Sequence, residues 1–259
     1  MASTLELLRQ MVPPPRIDDC RRVLCVQPHP DDTDIGAGAT VARLARLGAE
    51  VHYLTVTDGS AGALDPGLDR TRLTALRRQE QEQAARILGV RELRWLDYPD
   101  AGDYSEYRVR LDVIRAIREL RPDLLLTVDP WTPYESHPDH LICGRAVAAA
   151  ALLHGFASVG NADAAVDRGA QPRPLVAIAF YHTAHPNQYV AVDEEDWRRK
   201  WEAVACHRSQ LDLATLESYR LYFDTRAREH GQAVGVARAE AFKVLPVALL
   251  HCVAEAMYL

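Results

Sequence analysis

The sequence predicts an α/β protein: a mostly parallel sheet with helices on both faces, built as a single domain over residues 1–259. Three observations carry that expectation. Short apolar, β-branched runs alternate with longer segments of helical periodicity, the pattern of repeated βα units. Gly48 and Gly89 close the first two helical segments, and Gly59, Gly62, Pro66 and Gly67 mark a loop between the second strand and its helix. A chain of 259 residues, 48% of them hydrophobic, suits one sizeable core better than two.

Arg22–Gln27 is a short apolar run closed by Pro28, which has no N–H for a ladder, and reads as the first strand. From Ile35 to Leu47 apolar residues recur at helical spacing, and Gly48 supplies the stop. Val51–Thr57 is β-branched and gives the second strand. A loop holding Gly59, Gly62, Pro66 and Gly67 leads to a helix over Arg70–Leu88, ended by Gly89. Leu93–Leu96 is the third strand, Tyr107–Leu120 a helix and Asp123–Val128 the fourth strand. After a loop over 129–138, a helix is expected from Asp139 to Leu153. Residues 155–174, rich in Gly, Ala, Asp and Pro, read as an exposed loop. A strand over Leu175–Tyr181, a short one over Tyr189–Val192 and a helix over Trp197–Gln210 follow. The last 40 residues resist assignment.

Composition excludes several classes. Lys and Arg number 30 against 36 Asp and Glu, a net charge of −6 without any block of like charge, which argues against a nucleic-acid partner. Apolar runs such as Ala146–Leu153 stop short of the ~18 residues a membrane span needs. The first twelve residues carry Glu6 and Arg9 inside their apolar pattern and lack the layout of a signal peptide. Cys20, Cys25, Cys143, Cys206 and Cys252 are scattered, odd in number and without a CxxC pair, as expected of reduced thiols in a cytoplasm.

Reactive residues gather where strands end, which is where open α/β sheets bind ligands. Pro28-His29-Pro30-Asp31-Asp32 follows the first strand, and Tyr134-Glu135-Ser136-His137-Pro138-Asp139-His140 follows the fourth. Two imidazoles and one carboxylate, His29, Asp32 and His140, make a facial set for Zn²⁺ with a position left for water, whose pKa such an ion lowers to about 7. The same ligands accept Fe²⁺ or Co²⁺. Asp31, beside a ligand but pointing elsewhere, is the candidate general base. His137 is placed to protonate a leaving amine or stabilise an oxyanion, and Asp139 to hold an imidazole in one tautomer. The bland alternatives are helix caps: Asp31 or Asp32 on the helix near Ile35, and Asp139 on the helix that it opens.

These motifs resemble those of the PIG-L or LmbE-like zinc de-N-acetylases. The resemblance extends through Thr57-Asp58-Gly59 with Gly62, through Arg77, Glu80, Ala84, Leu88 and Gly89, and through Trp95-Leu96-Asp97-Tyr98 with Asp100. Arg121-Pro122-Asp123 and His207-Arg208-Ser209-Gln210 complete it, and the resemblance thereby implies a core over about residues 22–210 with a C-terminal extension over 211–259. The stretch Asp129–His140, with Gln27, Tyr181 and Pro186-Asn187, is most similar to the diacetylchitobiose deacetylase branch. The resemblance implies a Rossmann-like fold and removal of acetyl groups from N-acetylglucosamine-type amines. It implies zinc on His29, Asp32 and His140, Asp31 as base, and His137 as acid or oxyanion donor. It further implies sugar contacts from Arg77 and Asp100, and a homo-oligomer in which His251 reaches a neighbouring subunit's site. Asp34 and Ala39 depart from the residues usual in the family, away from the chemistry.

Two other functions compete. One is an amidase that cleaves a larger acyl group or a thiol conjugate of a glucosaminyl compound. The other is a non-catalytic metal-binding or nucleotide-binding α/β domain, disfavoured because the first βα turn holds His29, Asp31 and Asp32 in place of G-x-G-x-x-G.

Overall fold

The computed structural model describes residues 3–65, 67–160 and 175–259, and among these described residues it has seven strands and seven α-helices. The strands are β1 (Arg22–Gln27), β2 (Glu50–Thr57), β3 (Glu92–Tyr98), β4 (Leu124–Val128), β5 (Ala177–Tyr181), β6 (Gln188–Ala191) and β7 (Ala239–Pro246). The helices are α1 (Thr4–Met11), α2 (Asp32–Arg46), α3 (Arg70–Leu88), α4 (Glu106–Leu120), α5 (Pro138–Leu153), α6 (Glu194–Val204) and α7 (Leu213–Val234).

All seven strands lie in one sheet, ordered β3-β2-β1-β4-β5-β7-β6. The first five are parallel, and β7 runs antiparallel to both of its neighbours. Side chains alternate faces along each strand. Val23 and Cys25 therefore share one core cluster with Val41 of α2 and Leu88 of α3, whereas Leu24 and Val26 share another with Val113 of α4 and Val147 of α5. Burial on both faces is why β1 reads as an unbroken apolar run. After β1 the chain builds outward through β2 and β3, then returns to the other flank of β1 as β4. The reversal makes the carboxyl ends of β1 and β4 a topological switch point, with a crevice beyond them.

Several boundaries differ from expectation for identifiable reasons. Helix α2 starts at Asp32 rather than Ile35, straight out of the β1 turn. Helix α6 begins at Glu194, where Asp193 accepts the Asp196 N–H as N-cap, and stops at Val204 instead of Gln210. Beyond it, His207 is tied to Asp34 of α2 at 2.8 Å and Ser209 to Glu80 of α3, contacts that a continuing helix would carry away. The segment past residue 210 holds the long α7 and the inserted strand β7. Of α7 only Ala227 and Gly231 are fully buried, so its apolar stripe is thin. Strand β7 carries Glu240 and Lys243 in buried positions, Glu240 being neutralised by Lys200 at 2.6 Å. Of the loop expected over 155–174, residues 161–174 lie outside the described residues. Among the described residues no helix is long and apolar enough to cross a membrane, and all five cysteines are free.

Candidate metal centre and active site

The β1–α2 turn, residues 28–31, is buried throughout. Gly36 lets α2 approach closely, since a Cβ there would collide with the Tyr181 ring. Within the turn the His29 N–H donates to Asp32 Oδ2 at 2.8 Å, which aims that carboxylate back at the His29 ring. His29 Nδ1 lies 3.2 Å from Asp32 Oδ2, and His140 Nε2 lies 3.4 Å from Asp32 Oδ1. Asp31 occupies the N-cap position of α2 but makes no side-chain cap; its carboxylate meets Arg77 Nη2 at 3.3 Å instead. The capping alternative therefore fails for Asp31.

It fails for Asp139 as well. His137 is the N-cap of α5, its Nδ1 accepting the Asp139 N–H at 3.3 Å, with Pro138 at the first helical position. An accepting Nδ1 leaves Nε2 as the protonated nitrogen of a neutral ring. The Asp139 carboxylate turns inward and lies 3.1 Å from His29 Nε2, where it also receives the Ala101 N–H and the Tyr104 hydroxyl. The imidazole it orients is thus His29. Asp100 shares that task from 3.2 Å, while Glu135 Oε2 stands 3.0 Å from His140 Nδ1.

Two overlapping groups place metal-type donor atoms within 4.8 Å of one another: His29, Asp32 and His140, and His29, Asp100, His137 and Asp139. The first group fits a divalent ion. His29 Nδ1 and His140 Nε2 flank Asp32, while the opposite nitrogen of each ring faces a carboxylate, the usual outer support of a metal-bound histidine. In the second group Asp139 is already occupied by Ala101 and Tyr104, Asp100 by Ala61, and His137 Nδ1 by Asp139.

Charge is unevenly tuned around this centre. Burial raises the Asp31 carboxyl to about 6, with Arg77 opposing and Asp32 adding to the rise. Burial works against ionised Asp32, but His140 and His29 hold it well below the usual carboxylate range. Burial likewise opposes protonation of His140, yet Asp32 keeps it at about 9. His137 is lowered by burial and by the two neighbouring imidazoles, so it stays neutral. Asp100, despite burial, is brought to about 2 by His29 and the Ala61 N–H.

His29, Asp31, Arg77, Asp100 and His137 line one open cleft of about 350 Å³, with Gly62 and Gln210 also in its wall. Arg77 and Asp100 border it while only 3% and 4% exposed. Arg77 donates to Gly59 O, Pro30 O and Asp31, and Asp100 accepts from Ala61. His251 lies outside the lining, exposed, with Nε2 3.2 Å from Cys252 Sγ. Glu135 and Tyr104 are functional neighbours that motif reasoning passed over. Only the position of Glu135, five residues before His140, signals its contact.

A buried carboxylate with a raised pKa beside a convergent donor set, at the switch point of a mostly parallel sheet, fits the class of hydrolytic α/β enzymes. Comparison with known proteins narrows the class. Residues 24–151 match the family model PIG-L, GlcNAc-PI de-N-acetylase. The chain is 35% identical to the diacetylchitobiose deacetylase of Thermococcus kodakarensis, over 90% of this chain and 86% of that one. It is 30% identical to a probable N-acetyl-α-D-glucosaminyl L-malate deacetylase 2 of Bacillus anthracis, over 79% and 88% of the two chains. Its structure superposes on the N,N′-diacetylchitobiose deacetylase of Pyrococcus horikoshii with a TM-score of 0.88 at 34% identity, covering 98% and 97%. The chain belongs to the PIG-L family and is a hydrolytic N-deacetylase.

Proposed function

We propose that the protein is a zinc-dependent hydrolase that removes the N-acetyl group from a small molecule containing N-acetylglucosamine, giving the free amine and acetate. The observation that carries the reading is the shared cleft: the Asp31 carboxylate and His137 open onto the space bordered by His29. The relatives above, named for acetylated glucosaminyl compounds, support the substrate class.

A divalent ion on His29, Asp32 and His140 supplies Lewis-acid polarisation of an amide carbonyl and makes water acidic near neutral pH. Zinc is the ion assigned, and Fe²⁺ or Co²⁺ suits the same donors. Asp31, mostly ionised at pH 7 with its pKa at about 6, takes a proton from the attacking water. Neutral His137 donates its Nε2–H to the carbonyl oxygen as negative charge builds there. The proton held by Asp31 then passes to the amine nitrogen as the C–N bond breaks. Asp139 and Asp100 keep the His29 ring fixed throughout. Arg77, with a second Nη1 N–H to offer, and Asp100 are assigned contacts to sugar hydroxyls at the cleft wall. His251 serves this site only when a second copy of the chain contributes it, in a homo-oligomer. The five free cysteines support a reducing, cytoplasmic compartment.

The test is acetate release from N-acetylglucosamine and N,N′-diacetylchitobiose, before chelation, after it, and after restoring Zn²⁺, Fe²⁺ or Co²⁺. Metal-restored acetate release is expected, and the ratio of the two rates reports recognition of a second sugar. No acetate from either substrate, with the metal confirmed bound, overturns the substrate assignment.

A further inference from the structure

Asp31 has φ +114° and ψ −31°, outside the left-handed well and strained for any residue with a Cβ. A buried residue keeps such a backbone only where its surroundings hold it. Its N–H donates to Gln81 Oε1 at 3.0 Å, from the middle of α3. That oxygen also receives Gln27 Nε2 at 2.9 Å, and Gln81 Nε2 donates to Asp34 Oδ2 at 2.9 Å. Both glutamines and Asp34 are fully buried. Gln27 is itself locked, its Nε2 donating to Thr55 Oγ1 and its Oε1 receiving the Thr33 N–H. Asp34 is locked by the Tyr53 hydroxyl and His207. The Gln81 amide can therefore take only one orientation, with its oxygen toward the Asp31 N–H.

The geometry points to Gln81, oriented by Gln27, as a positioning residue that holds the Asp31 backbone in its strained conformation and so aims the carboxylate into the cleft. The inference rests on the reading of Asp31 as the base. Gln81 is itself neither in the donor set nor in the cleft lining, and it reaches the lining through the Asp31 N–H. Its loss acts on the chemical step and leaves metal and substrate binding in place. A misplaced reacting group costs up to about 100-fold in rate.

The experiment measures kcat, KM, metal content and thermal midpoint for Gln81→Met, Gln81→Glu and Asp31→Asn with N,N′-diacetylchitobiose. Gln81→Met removes the acceptor, and kcat is expected to fall at least about tenfold with KM within twofold and metal content unchanged. Gln81→Glu keeps an acceptor oxygen for the Asp31 N–H but sets a carboxylate against Asp34. It is expected to be the less stable of the two and the more active, an inversion that a merely structural role would not produce. Should Gln81→Glu not fold, Gln27→Met replaces it, with a smaller fall in kcat than Gln81→Met at unchanged KM. Full kcat in Gln81→Met, or loss of kcat only in step with metal or KM, overturns the inference. An active Asp31→Asn instead overturns the assignment of the base, whatever Gln81 does.

Discussion

The two loops that meet at the switch point are built in opposite ways. The turn after β1 is four residues long, wholly buried, and braced from beneath by glutamines on β1 and α3. The loop after β4 runs over 129–137 and leaves Trp131 58% exposed and Tyr134 fully exposed. On the roles proposed above, the short turn supplies the base Asp31 and the donor His29 and leads straight into Asp32 at the start of α2, while the long loop supplies His137 and leads into His140 in the first turn of α5. In the turn, position is set by backbone and core packing. In the loop it is set by side-chain bonds, chiefly Glu135 to His140 and to the His137 N–H. Errors in the turn should therefore abolish chemistry, and errors in the loop should loosen metal or substrate by degrees.

The largest effect is expected at Asp31. Asp31→Asn keeps the volume and removes the base, and kcat should fall by about 10²–10⁴ with one metal still bound per chain. Initial rates combined with metal analysis check it. If the metal is lost instead, Asp31 and Asp32 have exchanged roles. The next effect is pH-dependent. In the metal-free protein Asp32 holds His140 protonated up to about 9, and, against burial, Asp100, Asp139 and Asp32 hold His29 well above the usual imidazole range, so at neutral pH an incoming ion must displace a proton from each ring. Apparent metal affinity should then rise more than about tenfold per pH unit near neutrality, up to about a hundredfold, with proton release in calorimetry across buffers of different ionisation enthalpy. Affinity independent of pH between 6 and 8 contradicts the displaced protons.

The same contrast governs what could be read from the chain alone. His29, Asp32 and His140 were legible because metal chemistry restricts residue type and each motif is local; adjacency of β1 and β4 then joined them. The parallel strands were legible because double-sided burial makes them continuously apolar. Gln81 was not, because an interior glutamine on a helix full of Arg, Glu and Gln has no signature until the fold brings Asp31 to it. Strand β7 was hidden by Glu240 and Lys243, charges tolerated there only because Lys200 and the carbonyls of Met257 and Leu259 receive them. The end of α6 was hidden because His207 answers to Asp34, 173 residues away in sequence.

The loop's looser construction is sharpened by two smaller effects. Glu135→Ala removes the outer partner of His140 and should weaken metal binding about 10–100-fold, with kcat largely recovered at saturating metal. Competition against a chromophoric chelator measures it. If kcat stays low at saturating metal, Glu135 serves His137 more than His140.

The smallest effect is expected at Tyr134. Its phenol is fully exposed on a backbone at φ +67°, unfavourable for a bulky residue, so the fold gains little from having tyrosine there. It sits one residue before Glu135 and three before the cleft-lining His137, and its exposed ring is expected to stack on a second sugar. Tyr134→Gly suits the positive φ and should not lower the melting temperature. KM for N,N′-diacetylchitobiose should rise about two- to tenfold, the scale of one aromatic stacking contact, while KM for N-acetylglucosamine stays unchanged. Equal shifts for both substrates would mean that Tyr134 orders the loop rather than meeting the second ring. A loop built that way would follow the rules of the buried turn, and the division between a rigid half and an adaptable half of the site would have to be given up.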